Sequence, residues 1–223
     1  MKSKSFFLLV IFVLIILNKN CFSQDKLKYG TIGGIGFWRF MPLTNNPNTG
    51  STPDFLYPLG FSIGFYLENK LSPNFSVVNE LLYQNCIAGV TISTAIEGIL
   101  DQKVTTQFLK LPILLKYQTP YLWNTYLYLG PSFAYLIKAN YIFSDQAYSY
   151  YKGNVDITKN LPTISVSIEF GLGKELVFSD KNFMFELRVQ LGITRFQYKE
   201  ILNYYEIGQW RNSGIVLLIG LQL

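Results

Sequence analysis

The chain contains no histidine. That removes the commonest general base, the commonest metal ligand and every Ser-His-Asp arrangement together, and it disfavours barrel enzymes that trim or transfer lipid acyl chains. Cysteine is almost missing as well, with Cys21 and Cys86 alone, too few for a thiolate metal site. Charged residues make up only 15% of the chain, and no basic block is present to suggest nucleic acid as a partner. Beyond the N-terminus no apolar stretch reaches the roughly 18 residues of a membrane helix. What remains is expected to be a protein with no catalytic site, no metal site and no cofactor.

The one long apolar run is Phe6 to Leu17, preceded by Lys2 and Lys4. It has the length of a signal-peptide core and is short for a helix crossing a roughly 30 Å hydrocarbon layer. Cleavage after Ser23, with Cys21 at the −3 position, assigns residues 1–23 to an export signal and residues 24–223, starting at Gln24, to one mature domain. Two alternatives stand beside this: an uncleaved anchor, against which Asn18-Lys19-Asn20 interrupt the run, and a lipidated Cys21, for which that tripeptide lacks small and aliphatic residues. Removing residues 1–23 takes away Lys2, Lys4 and Lys19 and no acid, so the net charge falls from +5 to +2. Cys86 is then the sole cysteine, which excludes an internal disulfide.

What the mature chain does have is alternation. Ile164, Val166, Ile168, Phe170 and Leu172 alternate with Ser165, Ser167, Glu169, Gly171 and Gly173. Phe183, Phe185, Leu187, Val189, Leu191 and Ile193 alternate with Met184, Glu186, Arg188, Gln190, Gly192 and Thr194. Leu109 to Tyr117 and Gly60 to Glu68 behave the same way. Period two with one apolar side is the pattern of a strand in a barrel wall facing lipid. Four weaker segments, Lys28–Trp38, Phe75–Cys86, Trp123–Leu136 and Arg211–Leu223, bring the count to eight. The final segment ends the chain as a strand, which must pair with an earlier one or leave an open edge. The expected fold is therefore all-β: an eight-stranded antiparallel up-and-down transmembrane β-barrel. Asn79, on a nominal lipid face, and Pro112, within a strand, are positions where a bulge or a different register is expected.

Connections alternate in length. Asn69–Asn74, Gln118–Leu122 and Val177–Asn182 are short; Arg39–Pro58, Ile87–Lys103, Ile137–Asn160 and Gln197–Trp210 are long. Short turns belong on the periplasmic side and long loops outside, which places the protein in a bacterial outer membrane with both termini periplasmic. Tyr117, Tyr121, Trp123, Phe178 and Phe183 are expected in the periplasmic aromatic girdle, and Trp38, Phe40, Tyr57, Tyr198 and Trp210 in the outer one.

The inward positions carry Glu68, Glu80, Lys110, Lys116, Glu169, Glu175, Glu186 and Arg188. Eight strands leave an interior just wide enough for side chains, and an unpaired charge there is costly. Mutual neutralisation is thus expected in preference to a substrate or proton path, with Glu80 beside the Lys110 strand and Glu169 beside the Arg188 strand. Inward glycines such as Gly60, Gly64, Gly171, Gly173 and Gly192 make room for larger neighbours. Gly34-Ile35-Gly36 and Gly171-Leu172-Gly173-Lys174 lack the spacing and following helix of phosphate loops. Glu169 and Glu175 are six residues apart on one strand, roughly 20 Å, too far to act as an acid–base pair.

The run Phe108-Leu109-Lys110-Leu111-Pro112-Ile113-Leu114-Leu115-Lys116-Tyr117, followed by Tyr128-Leu129-Gly130-Pro131, resembles the central block of the PorT-like outer-membrane β-barrel family of Bacteroidetes. Gly171 to Glu175 and Asn212-Ser213-Gly214-Ile215 onward are similar to that family as well, although many members end in Phe where this chain has Leu223. The resemblance implies an integral outer-membrane protein, sometimes one needed for type IX secretion and gliding. One fold hosts many functions, so three roles stay open. They are a non-enzymatic structural or surface-binding barrel touching outer-membrane lipid, lipopolysaccharide or surface proteins; an accessory component of a type IX secretion apparatus; and a small channel.

Overall fold

A computed structural model describes residues 27–42, 53–56, 59–94, 98–119, 125–145, 152–196 and 210–223. Residues 1–23, the expected export signal, lie outside the described residues, as does most of the connection 197–210. Among the described residues there are ten strands: β1 (Leu27–Pro42), β2 (Pro53–Leu56), β3 (Leu59–Lys70), β4 (Phe75–Thr94), β5 (Gly98–Gln118), β6 (Thr125–Asp145), β7 (Lys152–Asp156), β8 (Ile164–Phe178), β9 (Lys181–Gly192) and β10 (Trp210–Gln222). Eight of them close into an antiparallel barrel in the order β1-β3-β4-β5-β6-β8-β9-β10, with β10 pairing back onto β1 from Gly30↔Gln222 to Pro42↔Trp210. Closure leaves no free edge in the wall, the condition for a sheet surrounded by lipid. The remaining two, β2 and β7, pair with the far ends of β4 and β6.

Alternation sets the faces as expected. Ile63, Phe65, Leu129, Phe170, Leu187 and Leu217 point outward and stay exposed, while Ser62, Tyr66, Ser132, Glu169, Arg188 and Val216 on the same strands are buried inside. An apolar belt of this extent would be a severe liability in water; in lipid it is the solvated face. At its lower edge Leu176, Val177, Phe178, Phe183 and Phe185 line an outward apolar cleft of about 470 Å³. Phe178 and Phe183, two of the expected girdle residues, are thus on the lipid side. Tyr121, Trp123, Tyr57 and Tyr198 lie outside the described residues, and so do the side chains of Phe40 and Trp210.

Three expectations are corrected. Ile87–Lys103 is not a loop but a hairpin, in which β4 runs on to Thr94 and β5 returns from Gly98. Ile137–Asn160 likewise continues β6 to Asp145 and returns as β7 and a short 3-10 turn at Thr158–Asn160, and Arg39–Pro58 contains the end of β1 and all of β2. A spanning strand needs about 10 residues. With 20, 21 and 21 residues, β4, β5 and β6 rise past the belt by roughly 30 Å along the strand. Above it the polarity of β5 and β6 inverts: Lys103, Thr105, Gln107, Lys138 and Asn140 face out, while Val104, Ala139 and Tyr141, with Ala88 of β4, are buried on the inner face.

The register across Asn79 and Pro112 is continuous, since Asn79↔Ile113 and Leu82↔Lys110 belong to one frame. Pro112 removes a ladder donor without shifting the strand, and Asn79 is buried between its register partners Leu67 and Ile113. The bulge occurs instead at Ile137, where Phe108 pairs with Leu136 but Gln107 with Lys138. One extra residue exchanges the faces of β6 beyond that point. Backbone groups around the bulge are met by the returning chain, with Ile157 donating to the Ala139 carbonyl at 2.9 Å and the Ala139 amide donating to Thr158 Oγ1 at 2.8 Å. At the other rim β8 and β9 join through Ser179 and Asp180, both at positive φ (47° and 65°), the geometry of a two-residue hairpin turn that normally selects Asn and Gly.

The third correction concerns Trp38. It belongs to the inward face of β1 with Ile32 and Gly36, and is 0% exposed. A Cβ on Gly36, Gly60 or Gly214 would meet its indole at 2.5, 2.5 and 2.7 Å. The ring fills space that three glycines on three adjacent strands leave vacant, so it plugs the lumen and is not part of a girdle.

Candidate functional site in the barrel lumen

Going inward from the short-turn rim, the first level brings together Lys28, Glu68, Lys116 and Glu175. Lys116 Nζ donates to Glu68 Oε2 at 2.9 Å and to Glu175 Oε1 at 2.5 Å, and Lys28 Nζ reaches Glu175 Oε2 at 3.4 Å. The Lys28 side chain is 37% exposed, so this level opens to water at the rim. Its two acids and two bases balance.

Above it lies a layer of tyrosines. Lys116 Nζ sits 4.1 Å from the centroid of the Tyr126 ring, Tyr126 and Tyr128 stack tilted with centroids 5.2 Å apart, and the Arg188 guanidinium carbon lies 5.1 Å from the Tyr128 centroid. Each cation thus rests on an aromatic face, an attraction that strengthens where water is excluded. Tyr126 fits because β8 has Gly173 beneath its ring, where a Cβ would come within 2.4 Å. The buried Tyr66 ring lies in the same way against Gly30, and its hydroxyl has no hydrogen-bond partner among the described residues.

The next level is fully enclosed. Arg188 spans the lumen to Glu80, with Nη1 to Oε2 at 2.6 Å and Nη2 to Oε1 at 2.5 Å, and its Nε donates to Glu186 Oε2 at 3.0 Å. The paired, planar geometry is the strong form of a guanidinium–carboxylate bond. Glu186 also accepts from the Tyr126 hydroxyl at 3.0 Å. Lys110 Nζ lies 2.8 Å from Glu169 Oε1 and donates to Gln190 at 2.7 Å, while Arg188 Nη1 is 3.7 Å from Glu169 Oε2. Glu80, Glu169, Glu186, Lys110 and Arg188 are each at most 4% exposed at the side chain. Toward the other rim Phe108 and Phe196 meet edge to face, centroids 6.4 Å apart, with Leu136, Ala139, Ile157 and Leu161 also buried there.

All eight charged residues expected inside are inside, and every one has an opposite charge at ion-pair distance. The partners are not the expected ones. Glu80 is held by Arg188 across the lumen and not by Lys110 from the adjacent strand, because side chains meeting at the axis choose among all eight strands. Glu169 does approach Arg188, but Lys110 is nearer. Glu169 and Glu175 join different clusters, so they share no reaction centre. Sequence reasoning missed Lys28, Gln190, Tyr126, Tyr128 and Trp38. The tyrosines were visible as the inward partners of Leu127 and Leu129 on β6; Lys28 was obscured by the glycine-rich, weakly alternating β1. Among the described residues no group of three His, Cys, Asp or Glu is disposed to hold a metal ion.

A family model described as "Outer membrane protein beta-barrel domain" matches residues 22–197. Among solved structures the chain is similar to the outer membrane protein OprG from Pseudomonas aeruginosa, at 11% identity over 89% of this chain and 97% of that one, with a TM-score of 0.45. It is also similar to Ail, the attachment invasion locus protein of Yersinia pestis, at 10% identity over 89% and 99% with a TM-score of 0.42. Neisserial surface protein A gives 9% identity over 87% and 96%, and a TM-score of 0.40. No curated protein matches the chain.

Proposed function

Since the chain belongs to the outer membrane protein beta-barrel domain family, we propose that this bacterial outer-membrane barrel is a closed, non-enzymatic element whose task lies on its projecting wall and not in its lumen. One observation carries this reading: β4, β5 and β6 continue for about ten residues past the lipid-facing belt, with polar side chains facing out on the described upper parts of β5 and β6, over a lumen whose charges are paired and whose upper level is filled by aromatic and aliphatic side chains. A wall of that kind offers a wide polar surface to lipopolysaccharide or a surface protein, while the interior offers no through path. The orientation, with both termini periplasmic, is supported by the short turns that share a rim with the Gly30↔Gln222 end of the seam. The test is an epitope tag on intact cells. Placed between residues 145 and 152 it should be labelled, and placed at Asp180 it should not; the reverse result inverts the topology. In planar bilayers the purified protein should give no stable conductance, and reproducible single-channel steps would favour the small-channel reading.

A second reading, membership of the PorT-like group and a role as accessory component of type IX secretion, is favoured by the Leu109–Tyr117 block with Gly130-Pro131. That block packs as one piece of wall, with Pro112 opposite Ser132 and Pro131 opposite Ile168. Deletion of the gene should then abolish secretion of a reporter cargo. Normal secretion would reject it and leave the surface-binding reading in place.

A further inference from the structure

The outer surface of the β8–β9 hairpin holds a charge in an apolar setting. From Ile164 to Phe178 on β8, and from Phe183 to Leu191 on β9, every outward position is apolar except Lys174, which is exposed. Lys174 pairs in register with Phe185, Leu176 with Phe183, and Phe178 with Lys181, itself exposed. These three rows put the two lysines at opposite corners of the outward cleft lined by Leu176, Val177, Phe178, Phe183 and Phe185, four residues or roughly 13 Å apart along the hairpin. The volume of about 470 Å³ falls within the roughly 300–1,000 Å³ of small-molecule sites. Glu169, Glu175 and Glu186 of the same strands are engaged in the lumen, which leaves Asp180, in the turn, as the hairpin's one other carboxylate. Among the described residues neither Lys174 nor Lys181 has a carboxylate at ion-pair distance. An ammonium at a lipid-facing position is costly unless its stem carries it to the head groups and an anion meets it there.

We propose that Lys174, Lys181 and the cleft between them bind one anionic glycerophospholipid of the periplasmic leaflet. Its phosphate lies between the two ammonium groups, and an acyl chain runs from Leu176 and Phe183 over Phe185 and Leu187 toward the middle of the bilayer. Charge complementarity selects the class: the hairpin supplies two cations, and a zwitterionic lipid brings a cation of its own. The leaflet rests on the orientation proposed above. In an inverted barrel the cleft would face the outer leaflet, a failure that the epitope tags detect and lipid retention does not, so the two failures are distinguishable.

The mature chain is refolded in detergent, phosphatidylglycerol or phosphatidylcholine is added in graded amounts, and native mass spectrometry counts the lipids retained per barrel. One phosphatidylglycerol should be retained at concentrations where phosphatidylcholine is not. The concentration giving half retention should rise roughly fivefold for Lys174→Gln and again for Lys181→Gln, equivalent to about 1 kcal/mol for each lysine. Lys174→Arg should restore retention, and Lys103→Gln, high on β5, should behave like the parent. Free inorganic phosphate, which has no acyl chain to place in the cleft, should not displace the lipid. Should one of the Gln variants fail to refold, the other reads the same contact. Equal retention of the two lipids by the parent, parent-like retention in the Gln variants, or an equal loss in Lys103→Gln would overturn the assignment.

Discussion

Within the lipid-facing belt the wall is apolar outside and ionic inside; beyond it the described parts of β5 and β6 carry Lys103, Thr105, Gln107, Lys138 and Asn140 outside and bury Val104, Ala139 and Tyr141 inside. The same strands, in one unbroken ladder, carry both patterns. The backbone is indifferent to the choice. What changes is the medium on the outer face, and with it what the inner face must do. In lipid the interior collects the polar groups, and in water it becomes an ordinary core.

The largest expected effect tests the interior of the lower region. Arg188→Gln leaves Glu80 and Glu186 enclosed without their cation and should destabilise the barrel by about 3–5 kcal/mol in denaturant titration from vesicles. A change below 1 kcal/mol would mean that water reaches this level and that the two regions differ less than proposed. Next is the lower exterior: Leu187→Lys faces lipid and should cost about 2–4 kcal/mol. An unchanged midpoint would place Leu187 outside the hydrocarbon. The open rim level should be milder, Lys28→Ala costing roughly 0–1 kcal/mol, a loss that shrinks in high salt. Smallest of all is the upper exterior, where Thr105→Lys should alter stability by no more than about 0.5 kcal/mol. A penalty like that of Leu187→Lys would show that the tall wall is immersed in lipid.

The same contrast explains what could be read from the sequence. A search for apolar residues on alternate outward positions finds strands only where the outside is lipid, and Phe183–Ile193 or Ile164–Leu172 satisfy it without ambiguity. It loses the extensions of β4 and β5, because there the buried inner side chains include small apolar residues such as Ala88 and Val104 while Lys103, Thr105 and Gln107 face out. The bulge at Ile137 hid the continuation of β6 by exchanging its parity. The lumen residues themselves were legible as polar positions opposite lipid-facing ones. Their partners were not, since a strand pattern orders neighbours along the wall and says nothing about who meets across the axis. Trp38 was misplaced for a related reason: on β1 the glycines thin out both faces, and an aromatic near a strand end looks like a girdle residue until its three glycine neighbours are brought together.

The bond between Glu80 and Arg188 joins residues 108 apart in the chain. Neither ion can meet the other until β9 has been added and the sheet has curled shut through β10 and β1. A half-built wall would carry both ions into hydrocarbon unmatched, a penalty that vanishes only on closure. Assembly of this barrel is therefore expected to be abrupt: slow to start, as high sequence separation between partners makes it, poor in stable partly inserted forms, and dependent on whatever holds the open sheet's interior in contact with water until the last strand arrives.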